Sequence, residues 1–169
     1  AYMMIGSFDA LWDVVHRDLE TPEWMANLGI ALFAIPLVLL GPTSGKLAQR
    51  LGPFLVASAG LFVAAIFMGI YGVLSVGTAI FVVTMGHALT DGLSFAASGV
   101  AVGMTAPEER QSGAQGVLGG MQSLGAGVTA LATGWVYETW GQQAASWMGS
   151  ITILVMVTAG LIVAGPMRT

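Results

Sequence analysis

The chain has 169 residues, of which 56% are hydrophobic and 8% are charged, and its formal net charge is −4 at pH 7. A soluble domain usually has about 25% charged residues, so this composition predicts an all-α membrane protein whose main solvent is the lipid bilayer. The sequence contains no run of basic residues, which excludes a nucleic-acid partner. It contains no cysteine, which excludes a disulfide framework, a thiolate metal site and a cysteine nucleophile.

Six apolar stretches of helix length follow one another along the chain. A helix needs about 20 apolar residues to cross the hydrocarbon core, so six crossings leave no room for a soluble domain. The predicted spans are residues 1–16, 24–40, 53–74, 78–104, 113–136 and 144–164. Polar segments or tight turns are predicted between them, at residues 17–23, 41–52, 75–77, 105–112 and 137–143. Pro36 predicts a kink in the second span.

The first span is short for a membrane crossing. About 16 residues of helix cover roughly 24 Å, less than the hydrocarbon thickness. The chain also begins Ala-Tyr-Met-Met-Ile, without an initiator methionine or the basic region of a signal peptide. We therefore expect the sequence to be an excerpt from a longer protein.

The basic residues predict the orientation. Four of them fall on one side of a six-span zigzag: Lys46, Arg50, Arg110 and Arg168. Arg17 falls on the other side, among acidic residues. Because cytoplasmic loops carry the excess of Lys and Arg, we expect the first side and the carboxyl terminus to be cytoplasmic. The predicted location is a bacterial cytoplasmic (inner) membrane.

The connection after the second span carries a motif, Gly45-Lys46-Leu47-Ala48-Gln49-Arg50-Leu51-Gly52-Pro53. It resembles the cytoplasmic loop motif of the major facilitator superfamily: glycine, three residues, aspartate, arginine, one residue, glycine, then basic residues. Gly45, Arg50 and Gly52 match, whereas Gln49 replaces the aspartate and Pro53 a basic residue. These departures resemble the degraded copy of the motif in the family's carboxyl-terminal half.

Other segments resemble the same family in the same order. Residues 8–13 and 32–36 look like helices seven and eight of efflux-type members, residues 106–110 like the loop between helices ten and eleven, and residues 134–141 like the end of helix eleven. The resemblance covers the whole chain. It implies six transmembrane helices that form the carboxyl-terminal half of a twelve-helix transporter, with the amino-terminal half as partner.

Ionisable residues inside the first span are candidates for a transport path. Asp9, Asp13 and His16 are spaced i, i+4 and i+7, which puts them within about 40° of one another on a helix, with Trp12 beside them. A carboxylate at mid-membrane is costly and normally faces a cavity or a partner. These residues either line a substrate and proton path or form an outer rim where the span ends early.

The fourth span carries a second pair, His87 and Asp91, one helical turn apart. Both lie near the predicted midplane, where transporter sites tend to lie. The pair is either a proton relay or substrate gate, or a polar contact between helices.

The fifth span is rich in glycine and carries two glutamines. Gly116 and Gly120 form a G-x-x-x-G pattern, which lets helices approach closely, either in static packing or on a rocking surface. Gln115 and Gln122 are two turns apart and either face the cavity or bind a neighbouring helix.

The family resemblance implies secondary active transport, and these residues agree with it. Isolated acids among apolar and aromatic side chains suit a small amphipathic or drug-like solute, and proton-coupled efflux is the expected mode, with proton-coupled uptake as the alternative. Protons and the solute are the expected partners, besides lipid. An intramembrane enzyme lacks a third metal ligand or a G-x-S-x-G serine, so we expect no enzyme, no metal and no cofactor. A non-transporting scaffold or receptor would need no midplane carboxylate.

Overall fold

The computed structural model describes residues 2–164, which are helical almost throughout. The helices are α1 Tyr2–Asp18, α2 Glu23–Leu51, α3 Pro53–Tyr71, α4 Gly77–Ser94, α5 Ala97–Thr105 and α6 Gln111–Ala164, with a 3-10 turn at Glu108–Arg110. Four stretches are long and apolar enough to cross a membrane: Glu23–Leu51, Pro53–Tyr71, Gly77–Thr105 and Glu108–Ile162. The all-α membrane architecture predicted from the composition is confirmed.

Helix α2 extends through the segment that the sequence predicted as a loop. Residues 41–51 are helical, so the loop predicted at residues 41–52 is wrong except at its last residue. Residues 46–51 favour helix, and Ser44 and Ala48 are buried one turn apart. Ala48 packs with Val56 and Ala97, and this tertiary contact stabilises the extra turns.

A single residue separates α2 from α3. Gly52 has φ 92° and ψ 129°, a region that is costly for any residue with a side chain. Pro53 then occupies the first position of α3, where its missing N–H costs no helical hydrogen bond. Glycine and proline thus turn the chain with no loop between the two helices.

The predicted fourth span is two helices, α4 and α5, with a turn at Phe95 and Ala96. Hydroxyl groups near this turn bond back to the helix: Thr90 to the carbonyl of His87, and Ser94 to that of Thr90. Such bonds compete with the regular ladder and bend helices. Phe95 and Ala96 nevertheless keep right-handed helical dihedral angles, and Gly77–Thr105 forms one stretch long enough to cross a membrane, in agreement with the predicted fourth span.

Helix α6 folds back on itself at Gly141, where φ is 81° and ψ is −178°. The Thr133 hydroxyl donates to the Ser7 hydroxyl at 2.9 Å. On the other side of the turn, a methyl group at Gly149 would lie 3.5 Å from Cβ of Ser7. Both arms of α6 therefore contact the same point of α1. The polar turn predicted at residues 137–143 is helical apart from this glycine.

The core lies around α1, which packs mainly against α6. Buried side chains of α1 meet others from α3, α4 and both arms of α6: Met4, Phe8, Leu11, Trp12 and Val15 from α1, with Ala65, Met68, Tyr71, Ile80, Val136, Ala145 and Ile153. Large apolar side chains on the outer surface, such as Val38, Leu39 and Leu131, are exposed in the isolated chain. Their place on these helices suits contact with lipid.

Basic residues lie at the end of the bundle where α2 meets α3 and α5. Lys46 and Arg50 are exposed there, and Arg110 is exposed in the 3-10 turn before α6. Arg17 lies at the opposite end of the bundle, where α1 ends, and its Nε is 3.8 Å from a carboxylate oxygen of Asp18. Arg168 lies outside the described residues. That the first end is cytoplasmic remains a prediction.

Candidate functional site

The predicted stripe on α1 divides into an exposed and a buried part. Asp9 and Asp13 are exposed, whereas Trp12 and His16 are buried. The buried part contacts the chain that follows α1: the Trp12 indole donates to the carbonyl of Ala26, in the first turn of α2, at 2.8 Å, and Thr21 in the connection lies against His16. The two carboxylates therefore point away from the bundle that the buried side chains join.

His16 lies between an outer cavity and the core. Its Nδ1 lies 2.9 Å from the Thr21 hydroxyl, and its ring meets the Trp12 ring edge-on at 4.2 Å. A cavity of about 520 Å³ opens beside it. The polar lining of this outer cavity consists of Asp13, His16, Arg17, Thr21, Glu23 and Asn27.

His87 and Asp91 meet inside the bundle, as their spacing predicted. His87 is 0% and Asp91 is 4% exposed. His87 Nε2 lies 3.5 Å from Asp91 Oδ1, longer than an ordinary hydrogen bond. His87 Nδ1 lies 2.9 Å from the hydroxyl of Tyr71, and the Thr84 hydroxyl donates to that same oxygen at 3.3 Å.

This geometry assigns the protons of the network. Because the Tyr71 hydroxyl accepts from Thr84, its own proton is free to go to His87 Nδ1. A neutral His87 then carries its proton on Nε2, which faces the Asp91 carboxylate. The Phe67 ring stacks on the imidazole at 4.8 Å and fixes its plane. The imidazole therefore lies between the Tyr71 hydroxyl, which it bonds through Nδ1, and Asp91, which Nε2 faces without a hydrogen bond.

Tyr71 and Thr84 were not among the residues singled out from the sequence. Thr84, His87 and Asp91 are spaced i, i+3 and i+7, so a search for polar residues on one face of α4 would have found Thr84. Tyr71 carries no such signal, because it ends α3 and joins the network only through tertiary packing.

Asp91 also borders a second cavity, of about 260 Å³, toward the other end of the bundle. Its polar lining consists of Tyr2, Asp91, Ser94, Ser98 and Gln122. The Gln122 amide donates to the Ser98 hydroxyl at 3.4 Å, and the Gln115 amide donates to the carbonyl of Gly99 at 3.0 Å. The glutamines thus join α6 to α5, and Gln122 also lines this inner cavity.

The glycine face of α6 has no neighbour in the described chain. A methyl group at Gly116, Gly120, Gly127 or Gly134 would meet no heavy atom within 4 Å. These four positions fall within about 40° of one another on a helix. The G-x-x-x-G pattern therefore does not pack helices together within residues 2–164.

Of the loop-motif residues, Gly52 has a defined structural role, since its φ of 92° favours glycine. Arg50 is exposed beside it, and Gly45 is half-buried. No described heavy atom lies within 4 Å of a methyl group placed at Gly45 or Gly52.

A bundle of apolar helices that encloses a polar network is the architecture of an integral membrane protein. The sequence matches the Major Facilitator Superfamily over residues 1–167, and the chain belongs to this superfamily of membrane transporters. No curated protein and no solved structure gives a match. The predicted family and its general activity, membrane transport, are confirmed.

Proposed function

We propose that the chain is part of a secondary active transporter that couples the efflux of a small amphipathic or drug-like solute to protons. The observation that supports this proposal is the position of Asp91, whose carboxylate contacts a buried imidazole on one side and borders a cavity on the other. A carboxylate at this depth is costly unless it has a partner or a function. Reversible protonation at Asp91 would link the charge of the bundle to the filling of the cavity.

We propose further that the chain forms the carboxyl-terminal half of a twelve-helix fold, with six crossings. Two features support a missing partner half: the exposed carboxylates Asp9 and Asp13, and the bare glycine face of α6. Exposed carboxylates on a membrane helix need a polar environment, and small residues favour close helix contact. The solute would bind between the halves.

The solute class follows from the side chains available. The cavity beside Asp91 is lined mainly by apolar and aromatic side chains, such as Leu61, Phe95 and Leu118, and Asp91 is its one acid, which suits an amphipathic or cationic solute. Among the described residues that line it there is no arginine and a single amide, Gln122, whereas sugars or phosphates would need clustered amides or an arginine clamp. Proton-coupled uptake uses the same residues in the reverse direction and remains the alternative. A scaffold or receptor is less favoured, because it gives Asp91 no role.

The test is Asp91→Asn in the complete transporter, reconstituted in vesicles. The amide keeps the shape of the side chain but cannot bind and release a proton. Proton-driven transport should fall by at least about 100-fold, a typical effect of removing a proton-transfer group, while counterflow of labelled solute should persist with a flat pH profile. Glu20→Gln, at an exposed position after α1, is the control and should behave as the unmodified protein. Full proton-driven transport by Asp91→Asn would refute the role of Asp91.

A further inference from the structure

A small cavity lies between the outer cavity and the Tyr71–His87–Asp91 network. It has a volume of about 20 Å³ and is lined mainly by apolar side chains of α1, α3 and α4. Four polar residues also line it: His16, Tyr71, Gln142 and Ser146. It is therefore in contact with His16, which borders the outer cavity, and with Tyr71, which bonds His87.

Two polar atoms at this cavity lack a partner. His16 Nε2 and the Ser146 hydroxyl are buried and have no hydrogen-bond partner among the described residues. His16 is 1% and Ser146 is 0% exposed. The other ring nitrogen of His16 is already bonded to Thr21. Unsatisfied buried groups are costly and rare, so two of them at one cavity call for a common partner.

The size and chemistry of the cavity identify that partner. A cavity must hold about 10–15 Å³ to admit a water molecule, and the water needs two to four polar neighbours. The Gln142 amide nitrogen is not available, because it donates to the carbonyls of Tyr71 and Leu74 at 2.6 and 2.9 Å, which leaves its oxygen only as an acceptor. His16 Nε2 and the Ser146 hydroxyl remain, and the Tyr71 side chain lies at the same cavity.

We propose that this cavity binds one water molecule between His16 and Ser146, and that the water connects the outer cavity to Asp91 through Tyr71 and His87. The proposal rests on the proposed function, because it states from which side Asp91 takes its proton. The path runs inside this one bundle, apart from the exposed carboxylates Asp9 and Asp13.

The proton transfers balance along this path. The Thr21 hydroxyl gives its proton to His16 Nδ1 and takes one from water in the outer cavity, and His16 gives its Nε2 proton to the bound water, which gives one to Tyr71. Tyr71 passes its hydroxyl proton to His87 Nδ1, and His87 gives its Nε2 proton to Asp91. Every relay group gains one proton and loses one, so only the charge of Asp91 changes.

The transport test uses Ser146→Val in the complete transporter. Valine removes the hydroxyl and fills the space that one water molecule needs. Proton-driven transport should fall about tenfold, the equivalent of one lost hydrogen-bonded link, while solute counterflow at fixed pH should be unchanged, which also reports a folded protein. Ser150→Val is the matched control: Ser150 is one turn further along, and its hydroxyl bonds the carbonyl of Ala65 instead. The proposed path would be overturned if Ser146→Val left proton-driven transport unchanged, or if Ser150→Val reduced it by the same factor.

A second measurement tests the water without transport. In protein labelled with ¹⁵N-histidine, the Nε2 resonance of His16, assigned by its loss in His16→Gln, should shift in Ser146→Val and stay in place in Ser150→Val. An unmoved resonance in Ser146→Val would overturn the water bridge. If the unmodified protein showed no proton-driven transport, the proposed function would fail, while the resonance would still decide whether the water is bound.

Discussion

At the scale of single residues, some residues of the candidate site can be identified from the sequence and others only from the structure. Asp9, Asp13, His87 and Asp91 could be singled out because ionisable residues are rare in apolar spans. Tyr71 and Ser146 could not, since hydroxyl residues are common in membrane helices and these two acquire partners only where remote segments meet. The burial of His16 depends in the same way on the fold of the connection after α1.

The bond between Tyr71 and His87 should be required for stability as well as for proton transfer. Tyr71→Phe leaves His87 Nδ1 buried without its donor, which should lower the free energy of unfolding by about 1–3 kcal/mol. Thermal unfolding in detergent would measure the loss. Tyr137→Phe is the comparison, because the Tyr137 hydroxyl bonds Asp18 at an exposed site, where water can replace the lost partner. Equal losses in the two variants would contradict a special role for the buried bond.

At the scale of helices, the sequence predicted the helical stretches better than the connections. The apolar runs marked the helices, but a loop was predicted at residues 41–52 where α2 continues, because hydropathy carries no information about the contacts of Ser44 and Ala48. The interruption at Phe95 and Ala96 was not predicted either, since back-bonding by Thr90 and Ser94 depends on side-chain rotamers rather than on hydropathy.

The turn at Gly141 should tolerate no side chain. Its φ of 81° with ψ of −178° falls in a region that is essentially restricted to glycine. Gly141→Ala should therefore lower the free energy of unfolding by about 1–3 kcal/mol, measured in detergent on the isolated chain. Gly127→Ala is the matched control on the same helix: it meets open space and should be neutral or slightly stabilising. A neutral Gly141→Ala would mean that the backbone there relaxes without strain.

At the scale of the whole molecule, the sequence predicted the family, the bundle and the distribution of basic residues. It could not predict that Asp9 and Asp13 face outward while His16 faces the core, because helical spacing gives relative angles and not the direction of the neighbouring helices. Packing against the other helices therefore determines which residues of the α1 stripe are exposed and which are buried. It assigns the exposed acids to the surface where we propose that a second half binds.

The distribution of basic residues predicts which connections face the cytoplasm, and this can be tested. The chain contains no cysteine, so single cysteines can be introduced without background from this segment. Cysteine at Gln49 or Glu109, both exposed, should react with a membrane-impermeant reagent only from the cytoplasm, and cysteine at Pro22, also exposed, only from outside. Ser44 is unsuitable for labelling because it is buried. Reaction at Gln49 from outside would reverse the orientation.

The one-residue turn at Gly141 has a consequence for what a binding protein could recognise at this end of the bundle. Within residues 2–164, the other connections at the same end are residues 19–22 and 72–76. Proteases preferentially cut exposed, mobile loop tips, and this end offers them almost none. An antibody raised against this face would need to bind side chains brought together by the folded helices, so it would lose its epitope on denaturation.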